Sequence, residues 1–368
     1  MKITGAVLED CHRPGPWAET KPIVVCDLDL DDPGPQEVLV QIEAAGVCHS
    51  DLSAVNGARP RGVPQLLGHE ACGRVAAVGH EVTGIGPGDR VVLVFNPRCG
   101  QCEGCRSASG LLPCRLAGEA NAAGTLLNGY RRLSRNGAPV SHHTGVSGFA
   151  SAAVVHHSSV VRIDDDIPAD VAALLGCAVL TGGGAVLNAA KLTPGEDVIV
   201  VGAGGVGLAA VLAARALDAG RITVVDMNQS KFATARKLGA DDAMSPDELA
   251  ERGIKAPCVI EATGVPAALE GAIAATSAGG RTVTVGLAKP GSQATFLPLP
   301  LVFESRSIIG SYLGSGVPAQ DVPKYVKLWR AGKLPIELLI SDHITLEQVN
   351  HAMDQLQAGT ALRQIIKF

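Results

Sequence analysis

Two kinds of hydrophobic pattern divide the sequence into regions. Residues 1–47 hold short apolar runs separated by turns, which predicts antiparallel strands at 4–8, 23–27 and 38–44. From residue 197 onward, short β-branched runs alternate with apolar positions at helical spacing. This second pattern predicts strands at 198–201, 222–226, 258–261, 282–286 and 308–312, and helices at 205–217 and 230–238. Such alternation is typical of an α/β region built on a doubly wound parallel sheet of six strands.

The remaining segments connect and close these two regions. Residues 115–150 are polar and rich in glycine, which predicts irregular loops with short strands. The other predicted elements are a strand pair within 153–163, helices at 170–177, 322–331 and 346–358, and a strand at 361–368. We expect this last segment to rejoin the N-terminal region. Residues 1–178 and 313–368 would then form one discontinuous domain, and residues 179–312 the other.

A glycine motif follows the first strand of the α/β region. Gly202, Gly204 and Gly207 supply G-x-G-x-x-G between a buried strand and a helix, the arrangement that receives a dinucleotide pyrophosphate. Asp226 ends the next strand, where a carboxylate accepts hydrogen bonds from a ribose diol and repels a 2′-phosphate, so NAD is favoured over NADP. Lys231 either reaches the same ribose or lies on a solvated helix face. The predicted cofactor-binding residues here are Gly202, Gly204, Gly205, Val206, Gly207, Asp226 and Lys231.

Composition and charge narrow the class of protein. The 368 residues are 46% hydrophobic with 44 glycines, which fits a two-domain globular protein. The net charge is −5 and no basic block occurs, so nucleic acid is not an expected partner. Residues 171–190 and 198–214 are uncharged, but glycines interrupt both, and we interpret them as buried structure and not as membrane spans. No secretory signal pattern is visible, so we expect a cytoplasmic protein.

Six of the ten cysteines fall into patterns that indicate metal binding in a reducing compartment. The first pattern is a closed set of four thiols, Cys99, Cys102, Cys105 and Cys114. The second joins Cys48, His69 and Cys177, where two thiolates and one imidazole leave one position of a tetrahedral zinc ion open. The alternative for this second set is two buried thiols and a core histidine. The remaining cysteines, interpreted as core thiols, are Cys11, Cys26, Cys72 and Cys258.

Taken together, these motifs resemble the zinc-dependent medium-chain alcohol dehydrogenases over essentially the whole chain. The resemblance is carried by G-V-C-H-S-D, G-H-E, G-P-G-D-R-V, the four-cysteine loop, G-C-A-V-L-T-G, the glycine motif and R-Q-I-I-K-F. The liver-type and thiol-dependent formaldehyde dehydrogenase branches look most similar. The resemblance implies a mostly β, GroES-like catalytic domain beside a Rossmann domain. It also implies NAD and two zinc ions per chain, one catalytic and one structural.

The resemblance further implies roles for residues around the catalytic zinc. Glu70 would lie behind the metal, Asp51 would orient the His69 imidazole, and Ser50 would pass the alcohol proton outward. In many relatives a histidine a few residues after that serine completes the proton relay. Here the position is Ser53, so water, or His49 with the ribose hydroxyls, would substitute. A helix N-cap is the alternative role for Ser50.

Cofactor and substrate contacts are implied in the same way. His49 and Arg363 would contact the pyrophosphate, Thr181 would press on the nicotinamide, and Phe95 would line the substrate pocket, with a place in the core as the alternative for Phe95. Two segments depart from the family pattern. The last gap in the cysteine loop is one residue longer than usual, and S-H-H-T-G is one residue shorter, which alters the pocket wall near Thr144.

Three functions remain open from the sequence. The leading one is NAD-linked oxidation of a small alcohol, or reduction of its aldehyde or ketone. The second is oxidation of an S-hydroxymethyl thiol adduct of formaldehyde, for which Arg115 and Arg59 are candidate carboxylate-binding residues. The third is a zinc protein that binds NAD as a redox signal without catalysis. Residues 308–313 predict an edge strand that pairs across a two-fold axis, so we expect a homodimer, with a tetramer as the alternative.

Overall fold

A computed structural model describes residues 1–107 and 112–368. These residues form two compact units, one made of Met1–Cys177 with Ile340–Phe368 and the other of Ala178–Leu339. The first unit is mostly β and the second is α/β, as the two hydrophobic patterns indicate. Part of the four-cysteine loop, residues 108–111, lies outside the described residues.

The elements follow in chain order. The strands are β1 (Lys2–Leu8), β2 (Ile23–Leu30), β3 (Glu37–Val47), β4 (Gln65–Leu66), β5 (Ala71–Val78), β6 (Arg90–Leu93), β7 (Leu133–Arg135), β8 (Ala138–Pro139), β9 (Ser141–His142), β10 (Ala152–His156), β11 (Val160–Ile163), β12 (Val198–Val201), β13 (Ile222–Val225), β14 (Asp242–Met244), β15 (Ala256–Glu261), β16 (Thr276–Thr284), β17 (Ser307–Gly310), β18 (Ile340–Ile344) and β19 (Arg363–Lys367). The helices are α1 (Trp17–Thr20), α2 (His49–Val55), α3 (Glu103–Arg106), α4 (Arg115–Ala123), α5 (Ala169–Leu175), α6 (Ala178–Gly184, continued by a π-helical turn at Ala185–Ala190), α7 (Gly205–Ala216), α8 (Phe232–Lys237), α9 (Pro246–Glu251), α10 (Pro266–Ala274), α11 (Pro298–Phe303), α12 (Pro318–Arg330) and α13 (Val349–Ala358).

Two sheets build the first unit. One has the order β8-β7-β2-β1-β4-β9, and the other has the order β11-β6-β5-β3-β19-β18 with β10 also paired to β3. The long strand β3 organises the second sheet, since β5, β10 and β19 all pair with it antiparallel. Gln364 lies opposite Val47 in the β19–β3 pairing. This register brings the C-terminal segment beside the residues that precede Cys48.

The second unit contains a six-stranded sheet of order β14-β13-β12-β15-β16-β17, in which every pair is parallel. Strand β12 is buried along its whole length, as its run of four β-branched residues requires. Helix α7 begins directly after the glycine turn and is lined with alanines that pack closely. The sheet therefore places the glycine turn at the carboxyl end of a central strand.

Three differences between the structure and the sequence prediction concern the domain boundary, residues 115–150 and strand β14. Residues 313–339 belong to the α/β unit, because Gly314 packs against Leu180 of α6 with room for no side chain, and Tyr325 is buried against Gly183. The prediction of irregular loops at the start of 115–150 is wrong, since α4 forms there and ends at Gly124 in the left-handed conformation. Strand β14, only three residues long, carries no apolar run that marks it as a strand.

Within residues 1–107 and 112–368, no single helix is both long and apolar enough to cross a membrane. The consecutive helical segments Ala169–Leu175 and Ala178–Ala190 meet the length and composition criteria only when they are taken together.

Candidate active site

Three residues that are far apart in sequence converge in the first unit. Cys48 follows strand β3 and caps helix α2, His69 lies between β4 and β5, and Cys177 follows helix α5. One ligand atom from each residue lies within 4.8 Å of the others, and all three residues are buried. The predicted second metal-binding set is therefore brought together by the fold.

The donor atoms at this point fit a zinc ion. The Nε2 atom of His69 is buried without a hydrogen-bond partner in the described part of the chain, while its Nδ1 is bonded to Asp51. An unpartnered buried nitrogen is costly, and a metal ion would satisfy it. Cys48 has a pKa well below its usual value because it is hydrogen-bonded to Cys177 and faces Arg363 and His69, despite burial. Two thiols and one imidazole are the donors of zinc sites that keep one coordination position open.

Asp51 connects the helix cap to the His69 imidazole. One carboxylate oxygen accepts the Cys48 backbone N–H at 3.0 Å, and the other lies 2.9 Å from His69 Nδ1. Burial by itself would raise the pKa of Asp51, but the neighbouring His69 and His143 imidazoles lower it. In His69, the nearby Asp51 and Cys48 raise the pKa, although burial opposes this. Asp51 thus holds the Nδ1–H tautomer and directs Nε2 toward the thiols.

Glu70 and Arg363 form a buried ion pair beside this site. The Arg363 Nη1 atom donates to Glu70 Oε1 at 3.0 Å and to the Val47 carbonyl at 3.4 Å. Burial raises the pKa of Glu70 to about 7, with Arg363 opposing the change. Gly46 makes room for this pair, since a Cβ atom there would lie 2.5 Å from Glu70 Oε1. The Arg363 guanidinium is thus engaged with Glu70, and its contact with a pyrophosphate stays a prediction.

The other predicted residues of this site lie on α2 and next to His69. His49 is the exposed first residue of α2, and Ser50 is half-buried beside it. The Phe95 ring packs edge-on against the His69 imidazole, with ring centroids 5.4 Å apart and an interplanar angle of 84°. His143 makes a similar contact with His69 at 5.6 Å, which the sequence did not indicate. The sequence feature that could have drawn attention to His143 is its place beside a second histidine in S-H-H-T-G, a segment expected to line the pocket.

The four-cysteine loop also gathers its thiols. The Sγ atoms of Cys99 and Cys105 are 3.8 Å apart, as are those of Cys102 and Cys114. One ligand atom from each of the four lies within 4.8 Å of the others. Burial opposes ionisation of Cys102, but backbone N–H groups, including that of Arg115, lower its pKa to about 6. A closed set of four thiols that receives backbone N–H groups fits a structural zinc ion.

The glycine turn of the second unit has the geometry of a phosphate cradle. Gly202 has φ of +103°, a conformation that favours glycine. A Cβ atom at Gly207 would lie 1.8 Å from the Gly202 carbonyl oxygen, whereas one at Gly204 would meet nothing within 4 Å. Gly207 therefore allows helix and strand to pack closely, while Gly204 leaves open space. Gly205 and Val206 form the first turn of α7.

Asp226 lies directly after strand β13 and touches the same turn. One of its carboxylate oxygens accepts the Ala203 N–H at 2.7 Å, the other accepts the Asn228 N–H at 2.8 Å, and Lys231 Nζ lies 3.6 Å away. The predicted ribose-binding acid and the glycine motif are thus in contact. Thr181 lies elsewhere in this unit, buried within α6.

A thiol–imidazole metal site in a mostly β unit, with a glycine turn on a parallel sheet, defines the class of zinc-binding, dinucleotide-dependent dehydrogenases. Two family models match the chain, "Alcohol dehydrogenase GroES-like domain" over residues 34–165 and "Zinc-binding dehydrogenase" over residues 205–330. The chain belongs to the zinc-dependent alcohol dehydrogenase family, which confirms the resemblance inferred from its motifs.

Individual proteins show the same relationship along the whole chain. An alcohol dehydrogenase class-3 of Drosophila melanogaster is 34% identical over 381 residues, covering 100% of both chains. An S-(hydroxymethyl)glutathione dehydrogenase of Escherichia coli O1:K1 / APEC is 35% identical over 367 residues, covering 96% of this chain and 98% of that protein. The structure of benzyl alcohol dehydrogenase from Acinetobacter calcoaceticus is similar with a TM-score of 0.90 at 30% identity, covering 100% and 99% of the two chains. The predicted combination of a GroES-like and a Rossmann domain is confirmed at this level.

Proposed function

We propose that this chain is an NAD-dependent zinc alcohol dehydrogenase, which reversibly transfers a hydride between an alcohol carbon and NAD. The observation that carries the proposal is the convergence of Cys48, His69 and Cys177, with His69 Nε2 buried and unpartnered within the described residues. When bound there, zinc supplies a Lewis acid that lowers the pKa of an alcohol from about 16 toward 7.

The surrounding side chains prepare the proton and hydride transfers. The Cys48 and Cys177 thiolates would hold the zinc ion and offset its charge, which would favour release of a hydride from the alcohol carbon. Asp51 fixes the tautomer of His69, and the Glu70–Arg363 pair brings a carboxylate and a guanidinium close to Cys48. The Ser50 hydroxyl accepts the alcohol proton. It lies on α2, one turn or less from Cys48, and is only half-buried, so the proton can leave toward solvent.

The outer part of the proton route differs from that of relatives with a histidine at position 53. Here the Ser53 hydroxyl donates to the His49 carbonyl at 2.8 Å and receives a hydrogen bond from Arg59 at 3.1 Å. Ser53 is therefore held in place by its neighbours. We assign the outward step to water or to the exposed His49 imidazole.

We further propose that the second unit is a doubly wound Rossmann domain that binds NAD. Its strand order corresponds to the 3-2-1-4-5-6 order of dinucleotide-binding sheets, with the glycine turn after the central first strand. Gly202, Gly204, Gly205, Val206 and Gly207 would receive the pyrophosphate, and Asp226 with Lys231 the ribose. Thr181, His49 and Arg363 would complete the cofactor contacts. The first unit would be the catalytic zinc-binding domain.

We also propose that the chain binds zinc at two separate sites. The closed four-thiol loop would hold a structural zinc ion in addition to the catalytic one, giving two per chain. The decisive experiment combines metal analysis of the purified protein with a panel of alcohols assayed for reduction of NAD and NADP. We expect two zinc ions per chain and alcohol-dependent NADH formation. One ion would contradict the four-thiol site, and absence of turnover with every alcohol would favour a non-catalytic NAD-binding protein.

The second candidate function is oxidation of an S-hydroxymethyl thiol. A relative 35% identical to the chain bears the name S-(hydroxymethyl)glutathione dehydrogenase, which favours this alternative. Of the two candidate carboxylate-binding residues, Arg115 is exposed and paired with Glu119. Arg59 instead donates a hydrogen bond to Ser53 of helix α2. Turnover of formaldehyde with and without glutathione separates the functions. If the adduct is the substrate, Arg59→Gln raises its KM and the control Arg115→Gln does not.

We propose a cytoplasmic homodimer as the working form. Ten cysteines are free, which suits a reducing compartment. Edge strand β17 follows a strongly apolar exposed helix, α11, in which Phe303 is 86% exposed. Such a patch beside an unpaired strand edge is typical of a subunit interface. Sedimentation equilibrium would give twice the chain mass, and a monomer would contradict the assignment.

A further inference from the structure

A second histidine lies against the acid that orients the metal ligand His69. His143 Nδ1 is 3.2 Å from Asp51 Oδ1, the same oxygen that lies 2.9 Å from His69 Nδ1. Its side chain is 1% exposed, and its ring meets the His69 ring edge-on. Within the described residues no hydrogen bond of regular geometry satisfies its Nδ1, and the Asp51 carboxylate lies within ion-pair distance of it.

The backbone fixes His143 relative to the segment that carries His69. The N–H of His143 lies 3.2 Å from the Leu66 carbonyl and 3.1 Å from the Ser147 hydroxyl, which itself bonds to the Leu66 carbonyl. Directly after Ser147, the Gly148 N–H donates to the Gly68 carbonyl and the Phe149 N–H donates to the Leu67 carbonyl. The two segments are thereby held in register up to the residue that precedes His69.

We propose that His143 is a positioning residue for the catalytic metal, because it confines the Asp51 carboxylate and, through it, the His69 imidazole. Asp51 receives the Cys48 N–H on one oxygen, and the other oxygen lies between two imidazoles. Without His143, that oxygen could rotate away from His69, and Nε2 would lose its fixed direction toward the two thiols. Groups that orient metal ligands change metal affinity or activity by about 10- to 100-fold when they are replaced. This inference rests on the proposed zinc site.

Three substitutions separate hydrogen bonding from packing. His143→Phe keeps a ring against His69 but removes the nitrogen that faces Asp51. His143→Asn places an amide nitrogen near the position of Nδ1, so it should restore the contact. The matched control is His142→Asn, which alters an equally buried neighbouring imidazole whose hydrogen bonds run to Ser147 and to the Arg132 N–H.

The principal measurement is transfer of zinc from the intact protein to a chromogenic chelator. The same transfer from Cys177→Ser, which lacks one ligand, identifies the phase that belongs to this site. We expect His143→Phe to accelerate that phase about tenfold. His143→Asn should remain within about twofold of the parent protein, and His142→Asn should leave the phase unchanged even if its melting temperature falls. Cobalt-substituted His143→Phe should also show shifted d–d absorption bands, which reports ligand geometry directly.

Other outcomes would overturn the proposal. Parental zinc release and parental cobalt spectra in His143→Phe would show that the contact with Asp51 does not position the ligand. Equal acceleration in the Phe and Asn variants would assign the effect to ring packing, against the proposal. If His143→Phe does not fold, His143→Gln, whose amide nitrogen cannot occupy the Nδ1 position, carries the same expectation. A parent protein that holds no metal at this site would instead refute the proposed function.

Discussion

The clearest prediction concerns two glycines that share one motif but have different physical roles. Gly207 touches the Gly202 carbonyl, so an added methyl group would lie 1.8 Å from that oxygen, against the 3.0 Å that real Cβ atoms keep. The start of helix α7 would have to retreat by about 1.2 Å. Gly204 has φ of −88°, which alanine accepts, and its added methyl would meet no protein atom within 4 Å. We therefore predict opposite consequences for Gly207→Ala and Gly204→Ala.

The magnitudes follow from these contacts. Forced separation of a packed helix and strand costs about 1–3 kcal/mol, so Gly207→Ala should lower the melting temperature by roughly 2–12 °C. Gly204→Ala should leave stability unchanged or raise it by about 0.4–1 kcal/mol, because the unfolded chain loses freedom. If the open space at Gly204 receives a pyrophosphate, the methyl removes one charge-assisted hydrogen bond of about 1.5–3 kcal/mol. NAD would then bind about 10- to 100-fold more weakly.

The two properties are measured separately. Thermal unfolding without cofactor gives the stability of each variant, and titration of intrinsic fluorescence or calorimetry gives the Kd for NAD. Zinc content serves as the internal control, since both proposed zinc sites lie in the other unit and should be unaffected. Weaker NAD binding by a fully stable Gly204→Ala protein would agree with the reasoning. Parental NAD affinity in that variant would refute the placement of the pyrophosphate at this turn.

Three further outcomes follow from the sites. Asp226→Ser combined with Met227→Arg, at an 83% exposed position, should shift the preference from NAD toward NADP at least about tenfold. The reason is that a carboxylate about 4 Å from a phosphate dianion costs about 2 kcal/mol. An unchanged ratio of the kcat/KM values for the two cofactors would place the ribose elsewhere. Ser50→Ala should depress kcat far more than NAD affinity, and equal losses in steady-state and binding measurements would indicate a folding role. Cys102→Ser should remove one zinc ion per chain and lower the melting temperature, whereas Cys26→Ser should keep both ions; a full metal content in Cys102→Ser would contradict the structural site.

Local patterns made much of the fold predictable from sequence. The buried run at Val198–Val201 and the glycines after it specify a strand, a turn and a helix through neighbouring residues alone. The four-cysteine loop is similarly compact, so its spacing indicates a metal site directly. Helix α4 escaped prediction because Gly118 and several polar residues weaken its helical pattern, although its alanines and the Gly124 cap suffice in the folded chain.

Features that depend on distant pairing were less accessible. The ion pair between Glu70 and Arg363 exists because β19 pairs with β3, and no local pattern records that register. The contact between His143 and Asp51 depends likewise on hydrogen bonds between the segments that contain Leu66 and Ser147. Composition and spacing can identify such residues as candidates for a site, but the tertiary structure determines which partner each residue contacts.

The pairing of β19 with β3 also has a consequence for how this protein is made on the ribosome. Arg363 is translated after the entire α/β unit, although its partner Glu70 emerges near the beginning of synthesis. During synthesis the Glu70 carboxyl therefore has no Arg363 guanidinium to pair with, while the intervening unit can already fold as domains do during translation. Completion of the first unit, and of the charged surroundings of the proposed zinc site, is thus deferred until translation has passed residue 363.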